Sequence, residues 1–193
     1  MARVRTFVAI DLSPAVRRQA QTLIHELAAR TTAVKWVSAE QLHVTVKFLG
    51  DVDDTELYQV CQAVDRAVAE LEPFEVICRG IGAFPHFHRP RTLWIGLEDP
   101  GHHIAQVQQR VEAEFAALGF PREVRPFHAH VTIGRVDLRH RRLSRLTDGL
   151  DQYADRQWGS FPVKQCTVYT SELTPSGPIY TPISRPMLGH AMP

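Results

Sequence analysis

A four-residue pattern occurs twice in this 193-residue chain, as His43-Val44-Thr45-Val46 and again as His130-Val131-Thr132-Ile133. Side chains alternate between faces along an extended strand, so each copy sets a His and a Thr on one side and two aliphatics on the other. This constrains the fold strongly: both segments are half-buried strands, and a chain that builds two of them can turn two imidazoles and two hydroxyls toward one cleft. Either copy alone reads as an ordinary strand, because Val, Thr and Ile all favour that conformation. The repetition, with both polar residues identically placed, is what points to a site.

The surrounding pattern repeats in kind. Residues 3–12 read as a strand, and Ser13-Pro14 supplies an N-cap and a first-turn proline for an amphipathic helix running to about Arg30. Ser38-x-x-Gln41 forms a capping-box-like turn ahead of a motif strand over 43–49, which Gly50-Asp51 is expected to terminate. A second helix follows, capped by Asp53 or Asp54, with Leu57, Val60, Cys61, Val64, Val68 and Leu71 at helical spacing until Pro73. Strands over 74–84 and 91–97, a third helix over 101–118 closed by Gly119, and the second motif strand over 128–136 come next. Another helix over 141–153 and a hairpin of 163–173 with 179–183 complete the reading, and residues 185–193 are expected to be a loose tail.

Two rounds of strands and helices, each with one motif strand, imply an α+β fold of two antiparallel-sheet lobes with outer helices and pseudo-two-fold symmetry around a central cleft. No Gly- or Ser-rich linker separates the halves, so residues 1–184 are expected to form a single bilobal domain. The 44% hydrophobic content is ample for its core. Cys61, Cys78 and Cys166 are odd in number and far apart, which argues against a disulfide framework or a zinc site and for a reducing, cytoplasmic setting. No apolar run approaches membrane-spanning length. A net charge of +1 does not mark a general nucleic-acid coater. Its distribution is uneven: Arg122, Arg125, Arg135, Arg139, Arg141, Arg142 and Arg145 bracket the second motif, against only Glu123 and Asp137. These arginines are either an anion-attracting wall or a solvated surface.

Two imidazoles on opposite sides of a phosphodiester can divide its hydrolysis. One activates water for in-line attack, and the other protonates the departing oxygen. Both protonation states are accessible near neutrality. Thr45 and Thr132 can donate hydrogen bonds to the non-bridging oxygens as charge builds there. Phe48 and Arg135 each lie five residues after a motif histidine. A ring and a guanidinium at equivalent places could sandwich a nucleobase. Strict alternation puts both on the wrong face, so a strand end or bulge must intervene. Among the other histidines, His86-x-His88, His102-His103 and His128-x-His130 lack carboxylates or thiolates at characteristic zinc spacing. His102 and His103 read as a helix start, His128 as a cleft residue, and 85–91 as a turn or a substrate loop.

The paired His-x-Thr-aliphatic motifs resemble the signature of the 2H phosphoesterases. The stretches Arg5-Thr6-Phe7-Val8-Ala9-Ile10, Val34-Lys35-Trp36-Val37, His43 to Gly50, Pro90-Arg91-Thr92-Leu93-Trp94, Arg125 to Arg135 and Ser171 to Tyr180 look like the RNA 2′,3′-cyclic phosphodiesterases, also called 2′-5′ RNA ligases. The resemblance spans almost the whole chain. It implies a cofactor-free, metal-independent site opening a terminal 2′,3′-cyclic phosphate to a 2′-phosphate, with His43 as general acid, His130 as general base, and Thr45 and Thr132 on the phosphate. It also implies 2′-5′ ligation in vitro as the reverse reaction. The expected partners are RNA ends or small cyclic nucleotides, met by a monomer. Three alternatives stay open at this point: a non-catalytic RNA-end or nucleotide-binding module, a phosphodiesterase for another small cyclic phosphate, and a metal-dependent hydrolase.

Overall fold

The computed structural model describes residues 2–137, 150–175 and 177–190. Among the described residues there are nine strands, β1 (Arg3–Asp11), β2 (Val34–Trp36), β3 (His43–Asp53), β4 (Phe74–Phe84), β5 (Thr92–Glu98), β6 (His130–Val136), β7 (Gln157–Val163), β8 (Thr167–Thr174) and β9 (Gly177–Ser184), and three α-helices. These are α1 (Pro14–Ala28), α2 (Leu57–Val68) and α3 (His103–Ala117).

The two expected lobes are halves of one continuous antiparallel sheet, ordered β7-β4-β5-β6-β3-β1-β8-β9, with β2 also paired to β6. The halves meet at the motif strands, which pair at Val44↔Val131. Beyond that point β2 takes over the edge of β6, with Trp36 opposite Gly134 and Val34 opposite Val136. The two motif strands therefore touch once and splay apart, which opens the cleft.

Helix α1 begins as its sequence dictates: the Ser13 hydroxyl accepts from the Val16 N–H at 3.3 Å and Pro14 occupies the first turn. Its buried stripe is Val16, Ala20, Leu23, Ile24 and Leu27. It packs on β7 and β2, whereas α3 packs on β3 and on α2. Each half thus sends a helix across to the other, and one core cluster runs through all three helices and both halves. Fully buried Leu23, Leu27, Leu93 and Ile95 are each worth about 1.5–3 kcal/mol of apolar burial. Separating the halves would expose them.

Several expectations need correction. Strand β3 does not end at Gly50-Asp51 but runs on to Asp53, because Gly50 takes a φ of +77° and absorbs a shift in register opposite Thr6. The single strand expected over 163–173 is two: β7 ends at Val163 on one edge of the sheet, and the chain crosses to the other half to start β8 at Thr167. The tail is not loose as far as His190. Met187 bridges Gln165, the Leu188 N–H donates to the Lys164 carbonyl at 2.8 Å, and Leu188 is buried in the core. An apolar side chain with a pocket to fill anchors what composition marks as a terminus. Most of the helix expected over 141–153, with Arg139, Arg141, Arg142 and Arg145, lies outside the described residues; Leu150–Tyr153 is a 3₁₀ turn. His103 opens α3, where the Asp99 carboxylate accepts from the Ile104 N–H at 2.7 Å. Among the described residues no helix is long and apolar enough to cross a membrane.

Candidate active site

The register of the motif strands explains how the site is built. Against β1, β3 runs Asp11↔His43, Ile10↔Val44, Ala9↔Thr45 and then Val8↔Lys47, so Val46 has no opposite number. Against β5, β6 runs Gly96↔His130, Ile95↔Val131, Trp94↔Thr132 and then Leu93↔Gly134, leaving Ile133 unopposed. Each strand carries a one-residue bulge at the same place, three residues after its histidine. A bulge resets alternation, so the residue five after each histidine returns to the histidine's face. Phe48 and Arg135 are accordingly exposed and line the cleft, while Lys47 turns inward to a buried ion pair with Glu112.

The cleft has two basins. One, of about 350 Å³, is walled by His43, Phe7, Trp36, Lys35, Arg5 and Tyr180. The other, of about 690 Å³, is walled by His130, His128, Phe84, Arg91 and Arg125. Thr45, Thr132, Phe48 and Arg135 line both, so the two hydroxyls form the shared floor between the two histidines.

Both imidazoles are oriented by the same device. His43 Nδ1 lies 2.7 Å from the carbonyl of Gln41, and His130 Nδ1 lies 2.7 Å from the carbonyl of His128, in each case two residues upstream. A carbonyl only accepts, so Nδ1 carries the proton and Nε2 is left for chemistry. His43 Nε2 is 3.0 Å from the Thr45 hydroxyl. Aromatic rings hold each imidazole: Phe7 and Tyr180 at 5.0 and 5.5 Å from His43, Phe84 and Trp94 at 5.0 and 6.1 Å from His130.

This apolar packing has an electrostatic consequence. Burial pushes His43 below the ordinary histidine value, against the upward pull of its Gln41 hydrogen bond and of Asp11, with Arg17 and His130 adding to the fall. Burial likewise lowers His130, opposed by its bond to the His128 carbonyl and reinforced by the His128 ring and Arg135. The influence of His130 on His43 is what two groups serving one cleft would show.

The structure thus brings together His43, His130, Thr45, Thr132, Phe48 and Arg135. His128 and Arg91 also line the cleft; His86 and His88 are not among its lining residues. Arg125 lines it while paired to Glu123 at 2.9 Å. Sequence reasoning assigned no role to Arg5, Lys35, Trp36 or Tyr180, which reach the site from β1, β2 and the β8–β9 hairpin. Arg5 lies 4.9 Å from the Phe48 ring centroid. Among the described residues there is no group of three or more His, Cys, Asp or Glu side chains that could hold a metal ion.

Residues 10–94 and 95–180 separately match one family model, LigT like Phosphoesterase. The chain belongs to that family. Each LigT-like repeat opens on the residue, Ile10 or Ile95, that pairs with the valine after a motif histidine. An RNA 2′,3′-cyclic phosphodiesterase of Methanothermobacter thermautotrophicus is 35% identical over 93% of this chain and 96% of its own length. One from Aquifex aeolicus is 30% identical over 98% of this chain and 100% of its own. A crystal structure of a Thermus thermophilus protein aligns with a TM-score of 0.80 at 26% identity, covering 97% of this LigT-like chain and 100% of that one. Escherichia coli LigT complexed with 3′-AMP aligns at 0.73 with 25% identity, over 96% and 98% of the two chains.

Proposed function

We propose that this chain hydrolyses RNA or nucleotide 2′,3′-cyclic phosphate ends to 2′-phosphates by general acid–base catalysis with its two motif histidines. The observation that carries the reading is the pair of imidazoles, each pinned through Nδ1 to a carbonyl two residues upstream, flanking a floor of two threonine hydroxyls. Neutral His130 takes a proton from water through Nε2 as the water oxygen bonds to phosphorus. His43, protonated at Nε2, gives its proton to the 3′-oxygen as the P–O3′ bond breaks. The product is a 2′-phosphomonoester beside a free 3′-hydroxyl, and proton exchange with solvent resets both imidazoles.

Thr45 and Thr132 donate to the non-bridging oxygens as their charge rises, with the Thr45 hydroxyl moving from His43 to phosphate. Phe48 and Arg135 flank the terminal base. Run backwards in vitro, the same steps join a cyclic phosphate end to a hydroxyl as a 2′-5′ linkage. The relatives named as RNA 2′,3′-cyclic phosphodiesterases support RNA as the substrate class. The free thiols Cys61, Cys78 and Cys166 fit a reducing, cytoplasmic setting, where the chain is proposed to act as a monomer.

The test is hydrolysis of a short RNA ending in a 2′,3′-cyclic phosphate by wild type, His43→Ala and His130→Ala. Each substitution is expected to lower kcat by roughly 10²–10⁴-fold. Near-full activity in either variant sinks the mechanism. Binding without turnover by wild type identifies a binding module or a phosphodiesterase for a different cyclic phosphate.

A further inference from the structure

The two motif strands are so alike that symmetry alone does not say which histidine gives a proton and which takes one. Their neighbours across the sheet differ. Asp11 on β1 stands opposite His43, and the residue in the equivalent place on β5, opposite His130, is Gly96. Directly opposed residues of antiparallel strands share a face, so the Asp11 side chain lies beside His43. No side chain at position 96 can do the same for His130: a Cβ on Gly96 would lie 2.5 Å from the Arg79 backbone oxygen.

The Asp11 carboxylate is held in place. Thr167 Oγ1 donates to its Oδ2 at 2.8 Å, Tyr169 Oη donates to its Oδ1 at 2.7 Å, and Arg17 Nη2 lies 3.5 Å from Oδ1. Tyr169 stacks on Phe7 at 5.3 Å, and Phe7 packs on His43. Both hydroxyls come from β8, so the arrangement spans three adjacent strands.

We propose that Asp11 is the positioning residue that makes the two histidines unequal, keeping His43 the proton-bearing partner and leaving His130 the proton-accepting one. The inference rests on the two-histidine reading above. Since His43 Nδ1 is already bonded to the Gln41 carbonyl, Asp11 acts through its field and not as a catalytic relay. Around His43 its negative charge works against Arg17 of α1 and His130 of β6. Arg5 of β1, Lys35 of β2, Arg135 of β6 and the phenols of Tyr169 and Tyr180 are the other ionisable groups on that side. Around His130, beyond the His128 carbonyl that favours its proton, the charged neighbours are the His128 ring and Arg135, both opposing a proton there, and Arg91 lines the same basin. The carboxylates of the second basin, Glu112 and Glu123, are occupied by Lys47 and Arg125.

The experiment uses the full chain carrying ¹³C-labelled histidine, with NMR titration of His43 and His130 beside the pH profile of kcat on a dinucleotide 2′,3′-cyclic phosphate. A general acid must be protonated, so its titration sets the alkaline limb of that profile. In Asp11→Asn the His43 midpoint is expected to fall while that of His130 stays put. The alkaline limb then moves to lower pH, with kcat down roughly three- to tenfold on that limb and less than about twofold on the acid side. Asp11→Glu restores most of the loss. Arg17→Gln, at a half-buried position of α1, removes the opposing cation and moves the His43 midpoint the other way.

The proposal is overturned if both midpoints stay fixed or move together in Asp11→Asn, or if Arg17→Gln leaves His43 unmoved. The titration needs no turnover, so an inactive wild type would refute the proposed reaction while the Asp11 effect is still read.

Discussion

Glu112→Ala tests how Phe48 comes to face the cleft. The bulge at Val46 sends Lys47 into the interior, where its Nζ lies 2.8 Å from Glu112 Oε1 and donates to the Pro121 carbonyl at 3.0 Å. Lys47 is 6% exposed and Glu112 8%, so both charges are nearly dry, and Glu112 Oε2 is buried without a hydrogen-bond partner. Removing one member of such a pair strands the other and costs about 3–5 kcal/mol. That is a large part of the roughly 5–15 kcal/mol of a typical domain. At about 2–4 °C per kcal/mol for a chain of this size, the melting temperature falls by about 6–20 °C. Replacing both, as Lys47→Met with Glu112→Leu, removes the stranded charge and returns stability to within about 2 kcal/mol of wild type. Urea unfolding near neutral pH with a parallel thermal melt reads both. Because Lys47 anchors the residue before Phe48, Glu112→Ala also raises KM more than it lowers kcat. A Glu112→Ala protein within about 1 kcal/mol of wild type, or a double variant worse than the sum of the singles, refutes the reasoning.

Other expectations follow from the same geometry. Phe48→Ala and Arg135→Ala each raise KM by about 5- to 150-fold with a smaller change in kcat, if each contributes roughly 1–3 kcal/mol of stacking to the terminal base; steady-state kinetics on mono- and dinucleotide cyclic phosphates decides, and unchanged KM counts against the flanking role. Folding stability carries a histidine signature of definite sign. Both imidazoles are held below their unfolded value by burial, so their contribution is fully present above about pH 6.5 and is lost as pH falls through the folded values. Urea midpoints should drop from about pH 7.5 to 5.5, and drop less in a His43→Gln, His130→Gln variant. Excess chelator should leave turnover unchanged, since both proton transfers are assigned to imidazole; loss of activity restored by a divalent cation would refute that assignment.

The motif was legible because each copy is local: four consecutive residues fix which side chains share a face. The swing of Phe48 and Arg135 onto that face was legible only as a requirement. The extra residues, Val46 and Ile133, are ordinary strand formers, and a bulge is defined by the partner strand's register. Helix α1 was readable from Ser13, Pro14 and its apolar stripe. Strand β2 was not, at three residues, since it exists through its pairing with β6. Asp11 reads in sequence as an acidic residue at a strand end. Its place beside His43 comes from the β1–β3 register, and the contrast with Gly96 from comparing the two repeats in three dimensions. Leu188 shows the same limit at the terminus, where burial depends on a pocket formed by distant chain.

Whether the paired histidines open a cyclic phosphate is read most simply from the product that wild type, with chelator present, makes from RNA ending in a 2′,3′-cyclic phosphate, followed by ³¹P NMR. Turnover to a 2′-phosphomonoester is the expected result. A 3′-phosphomonoester would mean that the 2′-oxygen leaves, and no turnover would mean that the paired histidines do not serve this reaction.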